Sequence, residues 1–404
     1  MKTDSLLASI YSYSDIPKSI TFAITSLFGV QTLQDLPKTQ LEHLRKTYDE
    51  MYHQVAETDY SESYKEYTLR YFPVNFFKIW TPLTDLLEKG QIKEQCAILE
   101  LGCGPGSSTF GLLEFYRILA VSNPGTDFHL DLSLVEKEQT FLDIFKCIYN
   151  HYATDLPTNL RVTCTQYQET IQSFFARSHN DKYHLVIESN LFNPNEKVVS
   201  TDLFHHCSAL ADMLRPNSSI IMIEPARDDL KDYLYHLKTI LLDKGLSVFS
   251  PCRCAKPVCK AFASARVDMR GISIISFLQQ HGLSSSKRFH YFEYLILRND
   301  SLVKFELKNN GNILKDISSC VGKLIKFEAY ILSSFDKHDY LDLRICDGSC
   351  DDRKMIVRVP KRILLDDCVC ALSVGRGGCV RVRNGRVISE TEIECVPSTN
   401  ICIL

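Results

Sequence analysis

Residues 98–106 read Ile98-Leu99-Glu100-Leu101-Gly102-Cys103-Gly104-Pro105-Gly106. An apolar run that closes on an acid and passes into a turn with glycine at every second position predicts a buried strand, a tight turn and the start of a helix. Ser107, Ser108 and Thr109 follow, all residue types that cap helix N-termini. Glycine belongs in such a turn because a side chain would block the close approach of a ligand to the backbone. The spacing Gly102-x-Gly104-x-Gly106, with Pro105 inside it, departs from the G-x-G-x-x-G of dinucleotide-binding folds.

Outward from this turn the pattern holds its character. Between Cys96 and about Arg298 six apolar runs alternate with helix-length segments: CAILELGC, FHLDLSLVE, LRVTCTQ, YHLVIES, SSIIMIEP and YFEYLILR. That alternation predicts an α/β doubly wound, Rossmann-like sheet over 91–300. Residues 1–90 read as a helical region. Leu33, Leu36, Leu41, Leu44, Tyr48, Met51, Tyr52 and Val55 recur at spacings of three and four. A second helical stretch over 61–87 is expected to break or kink at Pro73 and Pro82. Residues 318–404 hold five short strand-like runs, GKLIKFEAYILSS, DYLDLRICDG, RKMIVRVP, GCVRVRNG and RVISETEIEC, with a longer connection between the third and fourth. Five strands so connected predict a small OB-like β-barrel. Asn299–Asp316 reads as the linker, with Asn309-Asn310-Gly311 as its turn.

Hydrophobic residues make up 45% of the 404, enough for a real core, and the net charge is −3, which excludes a chain that holds nucleic acid by being basic throughout. Sixteen cysteines are present, and eleven of them follow residue 250. The N-terminal MKTDSLLASIYSYSDIPKSIT carries Asp4 and Asp15 and no secretory h-region, and no run reaches the length of a membrane span, so no membrane association is expected. A reducing compartment is expected, where clustered cysteines hold metal more often than they form disulfides.

The E-x-G-x-G-x-G turn resembles motif I of class I S-adenosylmethionine methyltransferases. The resemblance implies that Glu100, Gly102, Cys103, Gly104 and Gly106 hold the methionine part of that cofactor. It also implies that an acid closing the second strand holds the ribose hydroxyls. Glu136 stands there, with Asp131 as the alternative if the strand ends earlier, and Glu188, which closes the strand where motif IV falls, is a further candidate cofactor contact. No residue is identified as a general base, and the [DN]-P-P-[FY] tetrapeptide of amino methyltransferases is absent, Asn190-Leu191-Phe192 standing in its place.

Pro251-Cys252-Arg253-Cys254-Ala255-Lys256-Pro257-Val258-Cys259 places three thiols within eight residues. Three sulfurs from one loop can converge on a metal whose fourth ligand comes from elsewhere, and Arg253, Lys256 and Lys260 favour thiolate. The order of five pieces then adds a second resemblance. These are Tyr67-Thr68-Leu69-Arg70-Tyr71-Phe72-Pro73, Gly102 to Gly106, Ile223-Glu224-Pro225, Pro251-Cys252, and Leu343-Arg344-Ile345-Cys346-Asp347-Gly348. Over about residues 60–390 the chain is similar to the methyltransferase-like proteins of the mitochondrial small ribosomal subunit and their prokaryotic relatives. That resemblance implies a [4Fe-4S] cluster on Cys252, Cys254, Cys259 and Cys346, with Cys350 as the alternative fourth ligand, joining the two domains. Zinc is the alternative metal, since this loop is shorter between its first two cysteines than the family's and lacks its histidine. The resemblance further implies small-subunit ribosomal RNA and ribosomal proteins as partners in ribosome assembly, a monomer away from the ribosome, and a mitochondrial location, with cytoplasm as the alternative.

Residues 353–386 carry nine basic side chains against Asp366 and Asp367. Alternation there sets Arg358, Arg362, Arg376, Arg381 and Arg383 as candidate RNA contacts, directed to phosphates because aromatic residues for base stacking are sparse. The other readings left open are an RNA or small-molecule methyltransferase unrelated to ribosomes, with a structural zinc site, and a nicotinamide oxidoreductase with a β cap.

Overall fold

The computed structural model describes residues 10, 13, 15–53, 63–177, 181–191, 200–250, 263–284, 287–304, 320–336, 339–346, 355–360, 379–389 and 391–403. The N-terminal helices are α1 (Lys18–Ser26), α2 (Lys38–His53), α3 (Tyr64–Phe76) and α4 (Trp80–Glu88). Strands and helices then alternate: β1 (Gln95–Leu101), α5 (Ser107–Ser122), β2 (Phe128–Glu136), α6 (Gln139–Tyr152), β3 (Leu160–Gln168), α7 (Ile171–Ala176), β4 (Tyr183–Ser189) and α8 (Ser200–Asp212). There follow β5 (Leu214–Pro225), α9 (Asp228–Asp243), β6 (Ser247–Ser250), β7 (Ala263–Asp268), α10 (Ser273–Gln280) and β8 (Phe289–Arg298). The last five strands are β9 (Leu324–Asp336), β10 (Tyr340–Cys346), β11 (Met355–Pro360), β12 (Cys379–Ser389) and β13 (Glu392–Ile403). The chain divides into two compact units, Met1–Arg215 with Val267–His290, and Pro216–Arg266 with Tyr291–Leu404.

In the first unit β1 lies between β2 and β4 and β3 lies outside β2, all four parallel, in the order β3-β2-β1-β4. Parallel strands are covered on both faces and so read as continuous apolar runs. Ile98, Leu99 and Leu101 of β1 and Val186 and Ile187 of β4 are accordingly buried. The helix α6 buries one stripe, Phe141, Leu142, Ile144, Phe145, Ile148 and Tyr152. The α/β Rossmann-like class expected from the sequence is thus present, with its six sequence-expected strands at β1 to β5 and β8.

The helix break expected at Pro73 and Pro82 lies elsewhere. Pro73 sits inside α3, and Pro82 sits in the first turn of α4. A proline in a first turn removes no hydrogen bond, because the N–H it lacks has no intrahelical partner there. The chain turns instead at Phe77–Ile79, where Lys78 N–H reaches Asn75 O and Trp80 N–H reaches Phe77 O.

In the second unit β8 pairs antiparallel with both β5 and β6. The short β6 was not expected from the sequence, nor was β7. The C-terminal strands close into a barrel in the order β10-β11-β13-β12-β9, with β11 and β13 parallel and the other pairs antiparallel. Alternate residues fill it: Phe327, Ala329 and Ile331, then Leu341, Leu343 and Ile345, then Met355, Val357 and Val359. The strand count and the long connection before the fourth strand match expectation, but the last boundary does not. Asn384-Gly385 does not end a strand, for β12 runs through it with a register shift between Arg383 and Gly385. A Cβ at Gly385 would stand 3.0 Å from both Ile393 Cγ2 and Val382 Cγ1, so glycine here serves a bulge and a tight interior. No described helix is long and apolar enough to cross a membrane.

Candidate functional site at the carboxyl ends of β1, β2 and β4

In an open α/β sheet a ligand binds beyond the carboxyl ends of the strands, where the strand order reverses. With β3 and β2 on one side of β1 and β4 on the other, that point lies between β1 and β4. The glycine turn stands at it. Gly102, Gly104 and Gly106 all have positive φ, at +66°, +52° and +89°, a region that other residues enter with strain. Two N–H groups, those of Gly102 and Cys103, both donate to Val135 O of β2, at 2.8 and 3.1 Å, and Gly106 N–H closes the turn on Cys103 O at 2.9 Å.

The three glycines have different surroundings. A Cβ at Gly106 would lie 2.7 Å from Phe145 Cε2, and one at Gly102 would run into Leu191. Nothing lies within 4 Å of the place a Gly104 Cβ would take. Gly102 and Gly106 therefore serve packing as well as turn geometry, while Gly104 borders open space.

The acids flank this turn. Glu136 closes β2, and its carboxylate accepts from Gly104 N–H at 2.9 Å and from Glu138 N–H at 3.0 Å. Burial raises its proton affinity, and those two hydrogen bonds oppose the rise. Glu100 is buried near the end of β1, and the Thr109 hydroxyl donates to it. That bond ties the strand end to the first turn of α5. Burial pushes the Glu100 carboxyl up to about 8, with the nearby Glu136 charge adding to the rise. Cys103 is buried and burial holds its thiol protonated. Glu188 lies level with Leu101 of β1 and pairs with His206 of α8 at 2.6 Å.

Asp131, the alternative to Glu136, lies in mid-strand opposite Ala97. There its carboxylate lies 3.2 Å from His129 Nε2 and takes a hydrogen bond from Thr163. The strand runs on to Glu136, so Asp131 is five residues short of the turn. Thr109, read from the sequence as a possible helix cap with Ser107 and Ser108, bonds Glu100 instead, and the N-cap is Gly106 with no side-chain cap. His206 and the Lys78–Asn190 hydrogen bond of 2.7 Å were not expected. Thr109 was within reach of local reading as the third hydroxyl after Gly106. His206 and Lys78 come from distant helical segments, and no spacing announces them.

The proposed metal loop, Cys252, Cys254 and Cys259, and the alternative ligand Cys350 lie outside the described residues. Cys346 is described, at the end of β10 opposite Tyr330 of β9. Among the described residues no group of three or more His, Cys, Asp and Glu side chains could hold a metal ion. Of the candidate RNA contacts, Arg362 and Arg376 lie outside the described residues. Arg381 and Arg383 share the outward face of β12, alternating with the buried Val380 and Val382. Arg358 is held by Asp342 at 3.1 Å and Glu392 at 2.8 Å and lies over the Tyr340 ring. It therefore belongs in part to the barrel's own ion pairs.

Chemically, a turn bordered by the Glu136 and Glu188 carboxylates and by the neutral Glu100 carboxyl suits a ligand rich in N–H and O–H donors and carrying positive charge. It opposes a pyrophosphate, which would meet the Glu136 carboxylate on the Gly104 N–H that a phosphate would otherwise take. No protein-family model matches the chain, and no curated protein matches it. Among solved structures it is similar to a methyltransferase from Pyrococcus furiosus, at 11% identity and a TM-score of 0.31 over 55% of this chain and 82% of that one. It is similar to the N-methyltransferase NodS from Bradyrhizobium japonicum, at 13% identity and a TM-score of 0.32 over 55% and 95% of the two chains. It is also similar to an S-adenosylmethionine-dependent methyltransferase from Clostridium acetobutylicum, at 13% identity and a TM-score of 0.31 over 65% and 98%. By its own geometry, with parallel order β3-β2-β1-β4, a glycine turn after β1 and an acid closing β2, the first unit has the α/β arrangement of class I methyltransferases.

Proposed function

We propose that the first unit binds S-adenosylmethionine and that the protein is a methyltransferase. The observation that carries this reading is the pairing of the Glu136 carboxylate with Gly104 N–H beside an open face of the turn. A ligand with an ammonium, a sulfonium and two ribose hydroxyls suits that site, and one with a diphosphate does not. Glu136 would take the ribose hydroxyls, and Gly102 to Gly106 would back the methionine portion. Bound there, S-adenosylmethionine supplies an electrophilic methyl group. Glu100, kept neutral by burial, holds the turn through Thr109 instead of offering a further full charge.

Calorimetry with S-adenosylmethionine, and with NAD as the competing cofactor, tests the reading. Binding of the first and not the second is expected. Gly104→Ala should fold, at a strain of about 1 kcal/mol for a side chain at positive φ, and lose at least about tenfold in affinity. Unaltered affinity in that variant would remove Gly104 from the site.

The acceptor and setting we propose are small-subunit ribosomal RNA during ribosome assembly, in mitochondria, with Arg381 and Arg383 on the barrel contacting phosphates. The support is the second resemblance together with the outward placement of these two arginines. The same reading carries a [4Fe-4S] cluster. Iron and acid-labile sulfide in the purified protein, with absorbance near about 400 nm, would support it, and zinc without iron would overturn it.

A further inference from the structure

The two oxygens of the Glu188 carboxylate are used unequally. Oε1 lies 2.6 Å from His206 Nε2, whereas Oε2 is buried with no hydrogen-bond partner. Buried polar atoms are nearly always paired, so an orphaned one at a strand end that borders a ligand crevice calls for an explanation. His206 is set by its helix and by an edge contact with the Phe175 ring at 5.2 Å. Nearby, the amide of Asn190 has a partner at each end. Its Oδ1 accepts from Lys78 Nζ at 2.7 Å, and its Nδ2 donates to Ser189 Oγ at 2.9 Å. Asn190 has φ +52°, in the left-handed region that few residues other than glycine adopt. At the end of β4 the buried oxygen without a partner is Glu188 Oε2, whereas each end of the Asn190 amide already holds one.

Resting on the S-adenosylmethionine reading, we propose that Glu188 is the proton acceptor of the methyl transfer. In this assignment the methyl acceptor is a nitrogen that carries hydrogen, and His206 is the positioning residue that turns Oε2 toward it. The nitrogen lone pair forms the bond to the methyl carbon as the carbon–sulfur bond breaks and its electrons stay on sulfur. The nitrogen's proton passes to Glu188 Oε2. A nitrogen attacks with its own lone pair and becomes acidic as it takes the methyl, so a carboxylate is base enough. A hydroxyl oxygen would need a stronger base than a carboxylate.

Two cofactor analogues test this without an identified acceptor. S-adenosylhomocysteine lacks the methyl, and sinefungin carries an amine where the methyl would be. Calorimetry on the full chain should show sinefungin bound about tenfold more tightly than S-adenosylhomocysteine. Glu188→Gln should erase that preference while leaving S-adenosylhomocysteine affinity within about threefold. His206→Ala should also lose the preference, and His206→Gln, which can still hold Oε1, should restore it. A preference that survives Glu188→Gln overturns the assignment. So does loss of S-adenosylhomocysteine binding in that variant, which would place Glu188 on the cofactor itself. If neither analogue binds the wild-type protein, the cofactor reading fails, and this assignment with it.

Discussion

Burial pushes the Glu100 carboxyl up to about 8, so the folded chain keeps a proton that the unfolded chain releases near its ordinary carboxylate range. The folded value is raised above the unfolded one. The stability this carries is whole below the unfolded value and is lost as pH rises through the folded one. Glu100→Gln has no proton to lose and can still accept the Thr109 hydrogen bond. Urea unfolding at pH 5, 7 and 9 should show wild type losing on the order of 3–5 kcal/mol relative to the variant across that range. Parallel stability curves would show that Glu100 titrates as an ordinary carboxylate. The late cysteines include one explained at this same scale. Cys395 is buried in the barrel core, where burial pushes its thiol up to about 12, and it packs as a small apolar residue.

Among the elements, the tightest approach near the turn is that of the α3–α4 connection to α5. A Cβ at Gly111 of α5 would run into the backbone carbonyl of Phe76 and would lie 2.8 Å from Ile79 Cγ2. Gly111 O also accepts from Trp80 Nε1 at 2.8 Å. In an exposed helix, glycine to alanine stabilises by up to about 1 kcal/mol. Here overpacking against backbone outweighs propensity, and Gly111→Ala should destabilise by about 1–3 kcal/mol in thermal or urea unfolding. A gain in stability would mean that α5 can shift without cost. The aromatic cluster of Phe72, Phe110 and Phe145, with centroids 5.8 and 4.9 Å apart in sequence of contact, links this packing to Gly106. The N-terminal helices thereby help to set the turn.

At the scale of the whole molecule, the net charge of −3 conceals local contrast. In the barrel, two of the arginines that made 353–386 look basic are answered by carboxylates. Arg358 meets Asp342 and Glu392, and Arg386 meets Glu394. Arg383 stays exposed beside Arg381. The RNA reading therefore predicts unequal effects. Arg383→Ala should lower affinity for small-subunit ribosomal RNA and reduce the slope of log K against log salt by about 1. Arg358→Ala should change that slope by much less. Filter binding over a salt series distinguishes them, and equal slopes for all variants would remove β12 from the interface.

Much of this protein was legible before any tertiary structure. The strands β1 and β4 follow from continuous apolar runs, because strands buried on both faces demand them, while β2 and the outer β3 read through alternation with polar residues. The glycine turn follows from residue type, because only glycine enters positive φ without strain. Glu136 follows from its place at the end of an apolar run. The barrel follows from period-two alternation and was misjudged only where Gly385 serves a bulge. Tertiary structure alone decided which oxygen of Glu188 is orphaned, that His206 lies against the other, and that Lys78 and Ser189 occupy the Asn190 amide. It also decided which arginines are answered by carboxylates. The physical reason is one of range: backbone conformation and burial are written in neighbouring residues, whereas hydrogen-bond partners and charge balance depend on side chains that only folding brings together.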